Sequence, residues 1–209
     1  GSEMCIRDSI FSMPRWRSDI MHPVDIVEDI AIGFGYENMP DILSSVHIDA
    51  SPLKSSNLHR RIRMSMRSVG LQEIQSLTLS NEGDQFEKTR WPMVSEATVI
   101  SNPITVDHTI LRQYIFPSLM NLLASNRHHE LPQRVYELGG VVHGGGNKTR
   151  VSWACAESGA GFSTAKGIVQ SLLRDLGAPV SSVSFEPVAV GRGPWIDGRG
   201  ARVLIEDHE

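Results

Sequence analysis

Arg134-Val-Tyr-Glu-Leu-Gly-Gly-Val-Val-His143, Gly144-Gly-Gly-Asn-Lys148 and Arg150-Val-Ser-Trp-Ala-Cys-Ala156 form the stretch that decides the fold. Two runs rich in Val, Tyr and Trp flank a glycine-rich connection, which is the signature of a β-hairpin. Outward from it, the sequence alternates between helical and strand patterns. Ile168, Val169, Leu172, Leu173 and Leu176 mark one helical face, with Ser163 or Thr164 as its cap and Gly177 and Pro179 as its stop. Strand patterns follow at 182–185 and 202–205. On the other side, 107–126 carries the strongest helical pattern, with Ile110, Leu111, Tyr114, Ile115, Leu119, Leu122 and Leu123 on one face. Pro117 should kink or split that helix. Residues 73–79 and 97–100 read as strands. Leu58, Ile62, Met66 and Val69 mark a helix closed by Gly70. This mixture predicts an α+β fold, an antiparallel sheet flanked by helices, rather than a regular βαβ series.

The first 57 residues read differently. The stretch 14–19 is extended, and 24–34 predicts a helix with Pro23 at its start and Gly35 at its end. Residues 41–57 are serine-rich without a sustained period and read as a linker. The string Glu3-Met-Cys-Ile-Arg-Asp8 reads as the translated end of a sequencing adapter, so 1–9 is expected to be non-native. Cys155 is then the only native cysteine, and no intrachain disulfide is possible. The expected organisation is 1–9, 10–40, 41–57 and a main body over 58–209. The strand pattern at the C-terminal end has no visible partner, so further strands are expected after Glu209.

Composition limits the function. With 209 residues, 40% hydrophobic, a formal charge of −4 and two cysteines, the chain suits a packed globular body. It does not suit a general polyanion binder, a disulfide scaffold or a Cys-rich zinc site. No apolar run approaches the roughly 20 residues that a membrane span needs. A soluble protein in the cytoplasm is expected.

Several apparent catalytic motifs fail, and no catalytic residue is assigned. His129-Glu-Leu-Pro-Gln133 lacks the second His of a zinc-protease helix, and Gly144–Thr149 leads into a strand where a phosphate loop needs a helix. Gly161-Phe-Ser-Thr-Ala165 has no strand leading into it. Arg60, Arg61, Arg63 and Arg67 give one helix a basic side, for which a solvated face is the commoner reading. Arg15 and Arg17 flank Trp16, a pattern shared by nucleic-acid stacking and by a half-buried anchor. Asp25, Glu28 and Asp29 share the first turns of a helix, with Asp19 just upstream. Their convergence would suit Mg²⁺, although acidic residues also favour a helix start for its dipole.

The stretch Pro14-Arg-Trp-Arg-Ser-Asp-Ile-Met-His-Pro-Val-Asp-Ile-Val-Glu-Asp-Ile-Ala-Ile-Gly-Phe-Gly-Tyr-Glu-Asn-Met-Pro40 closely resembles the end of the B5 domain of phenylalanyl-tRNA synthetase beta subunits, archaeal or eukaryotic in type. Ser101-Asn-Pro-Ile104, Leu111-Arg112, Pro117-Ser-Leu119, Asn126 and Tyr136-Glu-Leu-Gly139 resemble, in order, the synthetase-like core that follows. The resemblance implies a class II synthetase-like core without catalysis over 58–209, preceded by the end of a B5 domain. It implies a heterotetramer of two alpha and two beta subunits that charges tRNA(Phe) with phenylalanine using ATP and Mg²⁺, with the active site in alpha. It implies that Asp19, Asp25, Glu28 and Asp29 are magnesium-associated carboxylates. Arg15, Arg17, Arg60, Arg63 and Arg67 are the candidate contacts to tRNA or a partner subunit. The rival reading is a stand-alone nucleic-acid-binding or adaptor module with a winged-helix-like element. A free-standing class II-like enzyme is a third reading, disfavoured because no substrate-binding Arg can be located.

Overall fold

The computed structural model describes residues 11–41 and 50–205. The adapter-like stretch 1–9, the middle of the expected linker and the chain end after residue 205 lie outside the described residues. The chain divides into two compact units, Gly1–Ala50 and Ser51–Glu209.

The first unit is built around α1 (Pro23–Phe34), whose start is locally encoded. His22 is the N-cap, and its Nδ1 accepts the Val24 N–H at 3.2 Å. Asp25 accepts the N–H groups of His22 at 2.7 Å and Met21 at 2.8 Å, completing a capping box. Pro23 occupies the first turn, where its missing N–H costs nothing, and the Gly35 N–H closes the helix on Ala31 and Ile32. No residue of α1 is buried.

The second unit has a three-stranded sheet at its centre. Strands β4 (Gln133–His143) and β5 (Gly146–Ala156) form an antiparallel hairpin in register from Gln133↔Ala156 to His143↔Gly146. Gly144 and Gly145 make the two-residue turn at φ 57° and 74°, the positive values that a type I′ turn requires. Strand β1 (Gln72–Glu73) lies parallel to β4 on its other side, so the sheet is mixed, not purely antiparallel as expected.

The two-residue period of the strands separates two apolar layers. Tyr136 and Leu138 of β4, with Val151, Trp153 and Cys155 of β5, face α2 (Lys54–Ser68) and α4 (Phe162–Leu176). Ile62 and Met66 of α2 meet Ile168 and Leu172 of α4 there. On the opposite face, Val135, Val141 and Ala154 pack against Ile115 and against Leu119 of α3 (Phe116–Ser125). Burying a Leu- or Met-sized side chain contributes roughly 1.5–3 kcal/mol, so both faces of the hairpin are anchored.

Several expectations change. The helix predicted over 107–126 is helical only in α3. Residues Ile110–Leu111 form β3 instead, paired antiparallel with β2 (Leu79–Ser80) and bridged to Val99. Pro117 sits in the first turn of α3 and marks its beginning, because its ring collides with the preceding turn of any longer helix. The strand expected at 73–79 is interrupted, since Ser76 turns inward to hydrogen-bond Glu137 and leaves only β1 and β2 at its ends. Along 97–100 only the Val99 bridge forms.

Helix α2 begins at Lys54, a turn earlier than its apolar face suggested. The cap of α4 is Gly161 and no side chain, so Ser163 and Thr164 are first-turn residues. The strand at 202–205 does have a partner: β6 (Val183–Pro187) and β7 (Ala201–Ile205) pair antiparallel. Among the described residues no helix is long and apolar enough to cross a membrane.

Candidate functional site

Three of the four candidate carboxylates, Asp19, Asp25 and Asp29, are held by protein groups. Arg17 Nη2 bonds Asp19 at 2.7 Å and Asp29 at 2.8 Å, so a guanidinium stands between two of them. That guanidinium holds the Asp19 carboxyl below its ordinary range. Asp25 is likewise lowered, by the backbone N–H groups of His22 and Met21. Glu28 is exposed on α1. Among the described residues, no group of three or more His, Cys, Asp or Glu side chains is arranged to hold a metal ion. As it stands, this is an ion-paired helix start, and it does not fit a cation held by all four carboxylates.

The basic side of α2 is largely spent within the unit. Arg63 Nε bonds Glu73 at 2.7 Å, and Arg61 donates to the Asp175 carbonyl at the end of α4 at 2.7 Å. Ser65, buried, donates to Asp175 Oδ2 at 2.7 Å, so α2 and α4 are joined by polar as well as apolar contacts. Glu73 also accepts the Tyr136 hydroxyl at 2.9 Å. Burial, with that bond, pushes the Tyr136 phenol up to about 12. Burial opposes the charge on Glu73, but the bonds from Arg63 and Tyr136 outweigh it and lower its pKa. Arg15, Arg60 and Arg67 are exposed, as is Trp16 at 77%.

The most ordered polar constellation was not found from the sequence. Arg112 and Glu137 are 2% and 1% exposed, and Nη2 meets Oε1 at 2.5 Å. Arg112 Nε donates to the Gly140 carbonyl at 2.9 Å and Nη1 to Ser76 Oγ at 2.7 Å, while Ser76 donates to the other Glu137 oxygen. A Cβ at Gly139 would stand 2.5 Å from Arg112 Nη2, so only glycine leaves room for the pair. Beside it, Gln85 Oε1 accepts the N–H groups of Gln113 and Tyr114 at 3.0 and 2.8 Å, and Gln113 holds Val94 and Ser95. The available signal was an Arg-Gln pair inside an apolar run and a Glu inside a strand. Both are anomalies for buried segments unless partnered.

A groove of about 580 Å³ follows β5, with Trp153, Phe162, Phe185 and Trp195 in its walls. Lys166 Nζ stands 5.0 Å from the centre of the Phe185 ring, a cation–π distance. Its lining is largely aromatic and aliphatic, with Lys166 and Arg199 as its charged residues.

Comparison with known proteins assigns these features to a family. The family model of the phenylalanyl tRNA synthetase beta chain CLM domain matches residues 39–209, and that of the tRNA synthetase B5 domain matches 8–36. The phenylalanine–tRNA ligase beta subunit of Methanothrix thermoacetophila is 36% identical over 92% of this chain and 35% of its own length. Those of Archaeoglobus fulgidus and Pyrococcus abyssi are 32% and 34% identical over 93% and 94% of this chain, and over 35% of their own lengths. The chain thus spans about a third of the length of the curated relatives it matches. In fold it is similar to PylSc of Desulfitobacterium hafniense, a pyrrolysyl tRNA synthetase, with a TM-score of 0.57 at 15% identity over 74% of this chain and 54% of that one. A match that takes in the hairpin, its flanking helices and the buried Arg112–Glu137 pair leaves one assignment: the chain belongs to the phenylalanyl-tRNA synthetase beta chain family.

Proposed function

We propose that this chain serves within a phenylalanine–tRNA ligase as a non-catalytic scaffold for the catalytic alpha subunit. The enzyme so formed, two alpha and two beta subunits, attaches phenylalanine to tRNA(Phe) with ATP and Mg²⁺ in the cytoplasm. The beta-subunit relatives support this, and the likeness in fold to a tRNA synthetase supports a class II-like core over 58–209. The observation that carries the non-catalytic role is the Arg112–Glu137–Ser76 network. It fills the sheet face beside α3 with polar groups that satisfy one another, and among the described residues no buried side-chain N or O lacks a partner. Catalysis of adenylation needs preorganised donors aimed at a phosphate, and here the guanidinium is already saturated.

Two measurements test the reading. The purified chain should give no phenylalanine-dependent ATP–pyrophosphate exchange and should co-purify with an alpha subunit. Exchange without alpha would overturn the scaffold role. Tight, salt-sensitive nucleic-acid binding without alpha would instead support the adaptor reading, which the family match does not favour. Arg15, Arg60 and Arg67 are the exposed members of the basic set proposed to meet tRNA or alpha; Arg17 and Arg63 are engaged in ion pairs.

For the metal, the proposal narrows. Mg²⁺ would neutralise converging charge, but at these carboxylates it must displace Arg17 from Asp19 and Asp29. Arg17→Ala should therefore raise Mg²⁺ affinity in titration calorimetry. An absence of binding heat in both proteins would return Asp19, Asp25, Glu28 and Asp29 to a helix-start role.

A further inference from the structure

We propose that the groove along β5 is the seat of one further β-strand, supplied by an extended apolar segment of the beta subunit outside residues 1–209. Which groups of β5 are free follows from the hairpin. His143 and Gly146 flank the two-residue turn and exchange the first ladder bonds. Every second pair from there is bonded in the same way, and the pairs between point their N–H and C=O groups outward. On β4 the outward groups are engaged: Val142 donates to the Arg112 carbonyl, and the Tyr136 carbonyl accepts the Ile74 N–H. On β5 the outward residues include Val151, Trp153 and Cys155. Among the described residues β5 pairs with no strand but β4. Such an edge is a template for one more strand.

The groove lies along that edge. Side chains alternate across a sheet, so consecutive residues can line one groove only from the edge of their strand, and 151–155 all line this one. Its side walls come from both layers of the unit, Phe162 and Val169 of α4 on one side and Phe116 of α3 on the other. Phe185 of β6 and Val203 of β7, a cross-strand pair, close the far side. A space bounded by a strand edge, a helix from each layer and a second sheet is shaped for an extended chain. Among the described residues Lys166 and Arg199 are the charged members of the lining, and no carboxylate lines it. The segment that fits is therefore apolar and carries an Asp or Glu.

Two observations favour the subunit itself as the source. The Methanothrix thermoacetophila relative is matched over only 35% of its length, so most of that subunit lies outside these residues. A second copy of this chain would carry its own β4 and α4 into a gap closed by Phe185 and Val203, whereas an extended segment brings only itself. The seat is beside β5 and not at 202–205, where the sequence pattern lacked a visible partner, because β7 already pairs with β6.

Amide exchange on the 209-residue chain tests the seat. The probes are overlapping peptides of about ten residues that cover the Methanothrix thermoacetophila subunit outside the matched region. In dilute chain alone, the Val151, Trp153 and Cys155 amides should exchange fast beside the ladder-bonded amide of Ala154. One peptide, apolar with an Asp or Glu, should slow those three by roughly tenfold or more. N-methylation of that peptide at one set of alternate residues should abolish the protection and at the other set leave it, because only one set of its N–H groups faces β5. If no peptide protects the three amides, or if methylation of either set changes nothing, the strand seat is overturned. Protection already present in dilute chain overturns it as well. Protection that rises with the concentration of chain alone would make a second copy the occupant and sink the assignment to the subunit's own segment.

Discussion

In α1 the side chains that set the helix lie at the surface and none of its residues is buried, whereas residues 110–115 bury four of six, two of them polar. The start of α1 is decided within four residues by His22, Pro23 and Asp25. The course of 110–115, strand only at Ile110–Leu111, is decided by Ser76, Gln85 and Glu137, which lie 25 to 36 positions from the Arg112 and Gln113 they bond. Local groups suffice where water can satisfy whatever they leave over. Where water is excluded, each polar group must find a partner in the fold, and conformation follows the partner.

The largest effect that would break this comparison is expected at the buried pair. Glu137→Leu alone leaves the guanidinium unpartnered and should cost about 3–5 kcal/mol in urea unfolding. Adding Arg112→Met should recover much of that loss, because two apolar side chains of similar volume need no partners. A double variant as unstable as the single one would show that the pair acts through packing, not through charge. A smaller effect is expected in α1. Asp25→Ala should reduce protection of the Met21 and His22 amides and weaken the α1 helix signal, with unfolding of the 51–209 unit unchanged.

Acid should act at the same place. The Asp25 pKa is lowered by folding, so its contribution is complete above the ordinary carboxylate value of about 4 and is lost as pH falls below it. A pH titration of the α1 amides that shows no loosening below that value would argue against the cap as the source of α1 order.

The same contrast explains how much could be read in advance. The hairpin was legible because β-branched and aromatic runs around Gly144 and Gly145 admit one closure, and α1 and α4 because their stops, Gly35 and Gly177, are local. The strand at 73–79 and the helix at 107–126 were misread because Ser76, Arg112 and Gln113 resemble surface residues until their partners are known. The acidic cluster on α1 was legible as a cluster, but not as the partner of Arg17, since a salt bridge across 12 positions has no periodicity. The family resemblance rested on short motifs such as Tyr136-Glu-Leu-Gly139, and that one proves to be the wall of the buried network, where Glu137 needs Arg112 and Gly139 leaves room for both.

By itself the sequence determined the hairpin, the helices with local caps and stops, and the family, because these depend on contacts between near neighbours or on order along the chain. Only the tertiary structure decided that β1 runs parallel to β4, that 110–115 is not helix, and that Arg112 and Glu137 form the polar centre of the sheet. Those choices depend on groups far apart in sequence meeting where water is absent, and no local pattern records such a meeting.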